Sequence, residues 1–232
     1  MNVAVIDLGT NTCNLLVAKI QNGNFETLHQ SKQLVKLGDG KIKKNQISPE
    51  AVERILQSLR VFQDIIEKHH AEKVKVVTTS AIREAENKIE VLEQVGLQTG
   101  WVVKIVSGQK EARLIFEGAL LALGEINRPS VVLDIGGGSN ELILANNSAI
   151  DWIESKPTGM ARVINEFALS DPLTKEELKK LQQFFLARHA TAITRCIKNG
   201  TKILIGCSGA FDTIADIIDK VEPGEKQRKR QV

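Results

Sequence analysis

Two stretches of the chain alternate apolar and polar positions around a glycine turn in the same way. Residues 3–16 read Val-Ala-Val-Ile-Asp-Leu-Gly-Thr-Asn-Thr-Cys-Asn-Leu-Leu, and residues 130–143 read Ser-Val-Val-Leu-Asp-Ile-Gly-Gly-Gly-Ser-Asn-Glu-Leu-Ile. Each is an apolar strand reaching an Asp, then an apolar residue, Gly, two small or polar residues, Thr or Ser, and a second apolar strand. The offset is a constant 127 residues, pairing Asp7 with Asp134, Gly9 with Gly136 and Thr12 with Ser139. One copy alone would fit any β-hairpin with a tight turn. Two copies in register, each opening a similar series of elements, indicate an internal duplication.

After the first copy the pattern predicts strands near 14–20 and 24–36 and a turn at Gly38-Asp39-Gly40. Ser48-Pro49-Glu50 is a helix start, with Ser as cap and Pro in the first turn. Val52, Ile55, Leu56, Leu59, Phe62, Ile65 and Ile66 then form a helical stripe for a core-facing helix. A short buried strand at 74–77, helical sequence after Ser80, a strand at 102–106 and a helix from Ser107 to about Leu123 complete the order βββαβαβα. The second copy repeats three strands (131–135, 140–145, 149–154), helical sequence over 158–168 and 174–197, a strand at 203–205 and a helix after Ser208. The boundary is expected at Gly124 to Pro129, giving domains 1–125 and 126–232. On the first copy's plan the second lacks a last strand and helix, so its sheet is expected to end in an open edge or to be completed by a partner chain, with a homodimer as one such arrangement.

Composition narrows the class. With 42% hydrophobic and 25% charged residues the chain is globular rather than disordered. No apolar run reaches the ~18–20 residues of a membrane span. Met1-Asn2-Val3 enters a strand pattern at once, so no secretory leader and a cytoplasmic location are expected. Cys13, Cys196 and Cys207 lack C-x-x-C spacing and read as reduced, buried thiols. From Lys220 onward five basic residues stand against two acidic ones, so the remaining chain is neutral, with 26 of each sign. With no Tyr, two Trp and no basic face in the body, nucleic acid is not an expected partner.

The chemistry lies in the two loops. Glycines let backbone N–H groups approach phosphate oxygens closely, and a hydroxyl adds a further donor. An Asp at each strand end suits Mg²⁺, directly or through water. Gly206-Cys207-Ser208-Gly209 is a third glycine element between a strand and a helix, where a helix N-terminus favours an anion. Walker A and G-x-G-x-x-G patterns are absent.

Five stretches in order carry a family resemblance: Asp7-Leu8-Gly9-Thr10-Asn11-Thr12, Thr79-Ser80-Ala81-Ile82-Arg83-Glu84-Ala85-Glu86-Asn87, Ser107-Gly108-Gln109-Lys110-Glu111-Ala112-Arg113, Asp134-Ile135-Gly136-Gly137-Gly138-Ser139, and Gly206-Cys207-Ser208-Gly209-Ala210-Phe211-Asp212-Thr213. The chain resembles the exopolyphosphatase/guanosine pentaphosphate phosphohydrolase family, within the actin/heat-shock protein/sugar kinase superfamily. That resemblance implies an α/β fold of two ribonuclease-H-like domains related by duplication. It also implies a phosphohydrolase that releases terminal phosphate from inorganic polyphosphate or guanosine pentaphosphate. By position, Glu111 becomes the residue that activates water and Arg83 the phosphate clamp. Asp134 and Glu141, with Asp7 as a further candidate, become the Mg²⁺ carboxylates. Gly9, Thr10, Asn11 and Thr12 face Gly136, Gly137, Gly138 and Ser139 as the backbone cradle, joined by Gly206, Ser208 and Gly209. Three departures stand out: Asn14 where many members have Arg or His, Lys110 where an acid is common, and, largest, length, since family members of the short type run on for several more elements after the fifth stretch.

Plainer readings exist for several of these residues. Acids are frequent in a helix's first turn, as Glu111 would be. Arg83 has Glu84 and Glu86 nearby as pairing partners, and Glu141 suits a strand surface. Two other functions stay open: a non-catalytic polyphosphate or nucleotide sensor, and a small-molecule kinase of the same superfamily. Phosphate release separates the hydrolase from the sensor, and ATP-dependent transfer to an acceptor would single out the kinase.

Overall fold

The computed structural model describes residues 1–38 and 45–222; Asp39 and Gly40 of the expected turn and the basic cluster at 226–230 lie outside the described residues. Packing divides the chain into two compact units, one ending at Ser107 and the other beginning at Gly108. The first holds β1 (Asn2–Leu8), β2 (Thr12–Gln21), β3 (Asn24–Leu34), α1 (Pro49–Lys68), β4 (Lys73–Thr78), α2 (Ser80–Glu84), α3 (Lys88–Thr99) and β5 (Val103–Ile105). The second holds α4 (Gly108–Leu123), β6 (Ser130–Ile135), β7 (Asn140–Asn146), β8 (Ala149–Lys156), α5 (Met160–Phe167), α6 (Lys175–Arg188), α7 (Ala190–Lys198), β9 (Ile203–Cys207) and α8 (Gly209–Asp219).

The two sheets have one plan. In the first the strand order is β3-β2-β1-β4-β5, and in the second β8-β7-β6-β9. In each, three antiparallel strands are followed by a strand parallel to the first. Asp7 lies opposite Asn14 in the first hairpin and Asp134 opposite Glu141 in the second, so the 127-residue offset holds through both hairpins. Among the described residues β9 is the edge of the second sheet, where Leu204 is 56% exposed.

Local chemistry explains the starts of two helices. The Ser48 hydroxyl accepts from the Ala51 N–H at 3.2 Å, and Pro49 fits the first turn of α1. Its stripe Val52, Ile55, Leu59, Phe62 and Ile66 is buried in one core with Ala4, Ile6 and Leu8 of β1 and Leu15 and Val17 of β2. Thr174 and Glu177 form a reciprocal capping box that starts α6.

Three expected boundaries shift, each for a visible reason. Helical sequence after Ser80 is broken at Ala85, which is extended, because the Glu86 N–H bonds the Asn45 carbonyl and the Asn87 side chain bonds both backbone groups of Ile47. The helix expected over 174–197 is two helices that meet at His189, whose side chain is buried. The helix expected to close the first domain, α4, instead buries Ala112, Phe116 and Ala119 among Val132, Ile143 and Ala145 of the second sheet. The division therefore falls at Ser107, earlier than the expected residue 125. Among the described residues no helix is long and apolar enough to cross a membrane.

Phe62 is fully buried and its neighbour Val61 is 43% exposed. Phe62→Ala should therefore cost about 3–5 kcal/mol in urea unfolding of the first unit, whereas Val61→Gln should change it by less than about 0.5 kcal/mol. Equal costs for the two would contradict this placement of the core.

Candidate functional site

The two glycine loops close in the same way. In the first, the Gly9 N–H donates to the Thr12 carbonyl at 2.9 Å; in the second, the Gly136 N–H donates to the Ser139 carbonyl at 3.0 Å. A Cβ at Gly9 would lie 3.0 Å from that Thr12 oxygen, and one at Gly136 would lie 2.9 Å from the Ser139 oxygen. Both positions therefore need glycine because the turn closes directly over them. The duplication read in sequence is a duplication of backbone hydrogen bonds.

In each unit, chain returning from the third strand takes up the loop's carbonyl groups. The Val35 and Lys36 N–H groups donate to the Asn11 carbonyl and that of Leu37 to Thr10, at 2.7–3.1 Å. In the second unit the start of α5 does this work. Met160 N–H donates to Gly136, Ala161 N–H to Gly137, and Gly159 N–H with Arg162 Nε–H to Gly138. A trans peptide points its carbonyl and the following N–H in opposite directions. Clamping those carbonyls therefore turns the N–H groups of Gly137, Gly138 and Ser139 away from α5, and those of Asn11 and Thr12 away from residues 35–37. Successive N–H groups turned to one side in this way are suited to an anion.

Gly159 permits the contact, since a Cβ there would lie 2.5 Å from the Gly138 carbonyl carbon and 2.6 Å from that of Gly137. Neither Gly159 nor Arg162 belongs to a repeated motif. Only a lone glycine after the second copy's third strand marks the place in sequence.

The carboxylates gather in the second unit. Asp134 and Glu141 are directly opposed across β6 and β7, an arrangement of like charges that destabilises a sheet unless a cation or proton intervenes. Glu141 is 1% exposed and its Oε1 accepts from the Ser155 hydroxyl at 2.7 Å. Burial, then the nearby Glu111 carboxylate, push the Glu141 carboxyl up to about 8, with Asp134 adding to the rise and Ser155 and Ser139 opposing it. Burial raises the Asp134 carboxyl too, against a lowering pull from Ser208. Glu111 stands in the first turn of α4, whose apolar side lies on the same sheet. The structure thus groups Glu111, Asp134, Glu141 and the second loop in one unit. Asp7 belongs to the first unit, where its partner across the hairpin is the neutral Asn14, whose Nδ2 donates to Asp7 Oδ2 at 3.4 Å.

Whether these groups suit Mg²⁺ can be judged from their own atoms. Asp134 Oδ1 is buried with no hydrogen-bond partner among the described residues. Among the same residues no three His, Cys, Asp or Glu side chains form a metal cage. Mg²⁺ seldom uses such a cage; it takes one or two carboxylates, keeps several waters and shares phosphate oxygens. An orphaned carboxylate oxygen beside a second acid fits that habit.

The third glycine element joins the same strand ends. Gly206 packs under the Phe211 ring, where a side chain has no room. Ser208 has φ 69° and ψ 175°, a conformation otherwise left to glycine and costing on the order of 1–3 kcal/mol. Its hydroxyl donates to the Ile135 carbonyl at 3.2 Å, next to Asp134. Gly209 opens α8 with free space around it. In the first unit Arg83 is largely buried; its Nη1 donates to the Val106 carbonyl at 2.9 Å and its Nη2 lies 4.0 Å from Glu84 Oε1. The three thiols are free, Cys13 buried and Cys196 and Cys207 half-buried rather than buried as expected. Burial, reinforced by Asp7, pushes the Cys13 thiol up to about 12, which leaves it unreactive.

The chain matches the Ppx/GppA phosphatase family over residues 16–229. It is 31% identical over 216 residues to a putative exopolyphosphatase of Haemophilus influenzae, covering 93% of this chain and 67% of that one. Exopolyphosphatase 2 of Mycobacterium tuberculosis is 30% identical over 222 residues, covering 92% and 69%. Among solved structures, an exopolyphosphatase from Cytophaga hutchinsonii superposes with a TM-score of 0.91 at 34% identity, over 95% of this chain and 70% of that one. A Ppx/GppA family member from Aquifex aeolicus gives 0.77 at 27% identity, over 98% and 72%. The two-domain, duplicated α/β architecture is that of these structures.

The raised Glu141 carboxyl sets a pH signature for metal-free protein. The folded state holds this proton up to about 8 and the unfolded chain only to its ordinary 4.5, so the folded state binds more protons between those values. Stability should therefore fall as pH rises through that window. In chelator, the melting temperature of the wild type should decline from about pH 5 to about pH 9 more steeply than that of Glu141→Gln. Parallel profiles would show that Glu141 is not the group that titrates.

Proposed function

The chain belongs to the Ppx/GppA phosphatase family, and on that premise we propose that it hydrolyses the terminal phosphoanhydride bond of inorganic polyphosphate. The observation that carries the reading is the opposed pair Asp134 and Glu141, with Glu111 close by and a glycine loop whose carbonyls are all tied back. Such a site combines anion donors with acids that need a cation. The names of the similar exopolyphosphatases support polyphosphate as the substrate. Guanosine pentaphosphate offers the same terminal phosphoryl chemistry and serves as the comparison substrate.

The chain's residues act as follows. The Gly137, Gly138 and Ser139 N–H groups bind oxygens of the terminal phosphate and fix its orientation. Glu111 accepts a proton from water as that water's oxygen attacks the terminal phosphorus opposite the bridging oxygen. The phosphorus–bridging-oxygen bond then breaks, giving orthophosphate and a chain one phosphate shorter. Asp134 and Glu141 would hold Mg²⁺, which supplies partial neutralisation of the phosphate charge when bound. Ser208 steadies the strand end that carries Asp134. In the first unit, Gly9, Thr10, Asn11 and Thr12 are assigned phosphate binding, Asp7 metal binding, and Arg83 the clamp on phosphate charge.

A general base contributes about 10²–10⁴ in rate, so Glu111→Gln should lower kcat by that order and leave polyphosphate binding nearly intact. Asp134→Asn should chiefly raise the Mg²⁺ concentration needed for phosphate release, and Arg83→Ala should harm kcat and KM together. Wild-type turnover in folded Glu111→Gln protein would remove Glu111 from the reaction. ATP-dependent transfer to an acceptor, in place of phosphate release, would make the chain a kinase.

A further inference from the structure

Behind the second glycine loop lies a chain of buried polar side chains to which no phosphate chemistry has been assigned. The Asn140 Nδ2 group donates to the Thr158 carbonyl at 3.0 Å. The Thr158 hydroxyl lies 3.0 Å from His189 Nε2, and His189 Nδ1 lies 3.4 Å from Glu154 Oε2. Glu154 Oε1 faces Lys156 Nζ at 3.4 Å. All four members are nearly closed to solvent: Thr158 is 2% exposed, Asn140 6%, Glu154 8% and His189 9%. In the tautomer that carries its proton on Nδ1, His189 donates to Glu154 and its Nε2 accepts from the Thr158 hydroxyl.

Their surroundings are apolar. Asn140, Thr158 and His189 line a cavity of about 980 Å³ whose walls include Leu133, Ile135, Leu142 and Phe185. Burying four polar groups in such a place has a desolvation cost that their mutual bonds offset only in part, and hydrophobic side chains of like shape would suit the packing. What the polar chain adds is direction. Asn140 directly follows the loop residue Ser139, and Thr158 directly precedes Gly159, which begins the carbonyl clamp. The bond from Asn140 to Thr158 thus ties the loop's exit to the clamp's entry. His189 and Glu154, from the α6–α7 junction and β8, hold Thr158 from the far side.

We propose that Asn140, Thr158, His189 and Glu154 are positioning residues that keep the N–H groups of Gly137, Gly138 and Ser139 turned toward phosphate. The inference rests on the reading of that loop as a phosphate cradle, but the loop's rigidity can be measured without any ligand.

Thr158→Val keeps the shape and removes the hydroxyl, and Thr158→Ser restores it. In amide hydrogen exchange, Thr158→Val should speed Gly137, Gly138 and Ser139 by about tenfold, leave the first unit's sheet unchanged, and return to wild-type rates in Thr158→Ser. With Mg²⁺ and tripolyphosphate as the probe, binding should weaken about tenfold and KM rise in step, while kcat stays within about threefold. Should Thr158→Val not fold, His189→Gln carries the same expectations. Unchanged exchange and unchanged binding in a folded variant would overturn the proposal. Faster loop exchange in a protein whose wild type binds no tripolyphosphate would uphold the positioning role and instead overturn the phosphate reading.

Discussion

The structure turns on a small set of backbone hydrogen bonds that hold loop carbonyls back. A peptide group cannot turn its oxygen without turning the next N–H the opposite way. Once residues 35–37 take the carbonyls of Thr10 and Asn11, and residues 159–161 take those of Gly136, Gly137 and Gly138, the direction of the loop donors is decided. The glycine at the head of each turn, the close approach of Gly159 and the start of α5 all follow from that requirement. A preset donor array of this kind would lose little freedom on binding an anion.

Duplication of the loops did not duplicate the acids. Under the 127-residue offset Asn14 corresponds to Glu141, so one hairpin carries an acid beside an amide and the other an acid beside an acid. The first pair satisfies itself by a hydrogen bond; the second leaves Asp134 Oδ1 without one among the described residues and pushes Glu141 toward the protonated form. Two copies of one scaffold have thus been given different electrostatic tasks. α4 sharpens the difference, because packing on the second sheet brings Glu111 to that unit's acids.

Much of this was legible in the sequence, and the limits have physical causes. The repeated Asp-x-Gly hairpins and the α1 stripe are local patterns with short periods, and both are where the pattern puts them. The carboxylates of the second loop region could be named because the repeat and the resemblance fix their positions. The side on which α4 packs could not be read, since its apolar stripe is equally suited to either sheet. The break at His189 was hidden for a related reason: helix-forming residues run on both sides of it, and what His189 meets there is Glu154, 35 residues away. Gly159 and Arg162 escaped notice because what they touch is backbone, which leaves no trace in side-chain pattern.

The central claim is that the second loop's N–H groups receive phosphate. It is tested most directly by following backbone amide resonances while tripolyphosphate is added with Mg²⁺. The account predicts saturable shifts at Gly137, Gly138 and Ser139 that approach one plateau together, with the resonances of Phe62 and its α1 neighbours unmoved. Saturable shifts that leave those three amides in place, or no shifts at millimolar ligand (a range that includes Kd values of about 1 mM, or roughly 4 kcal/mol of binding), would contradict it.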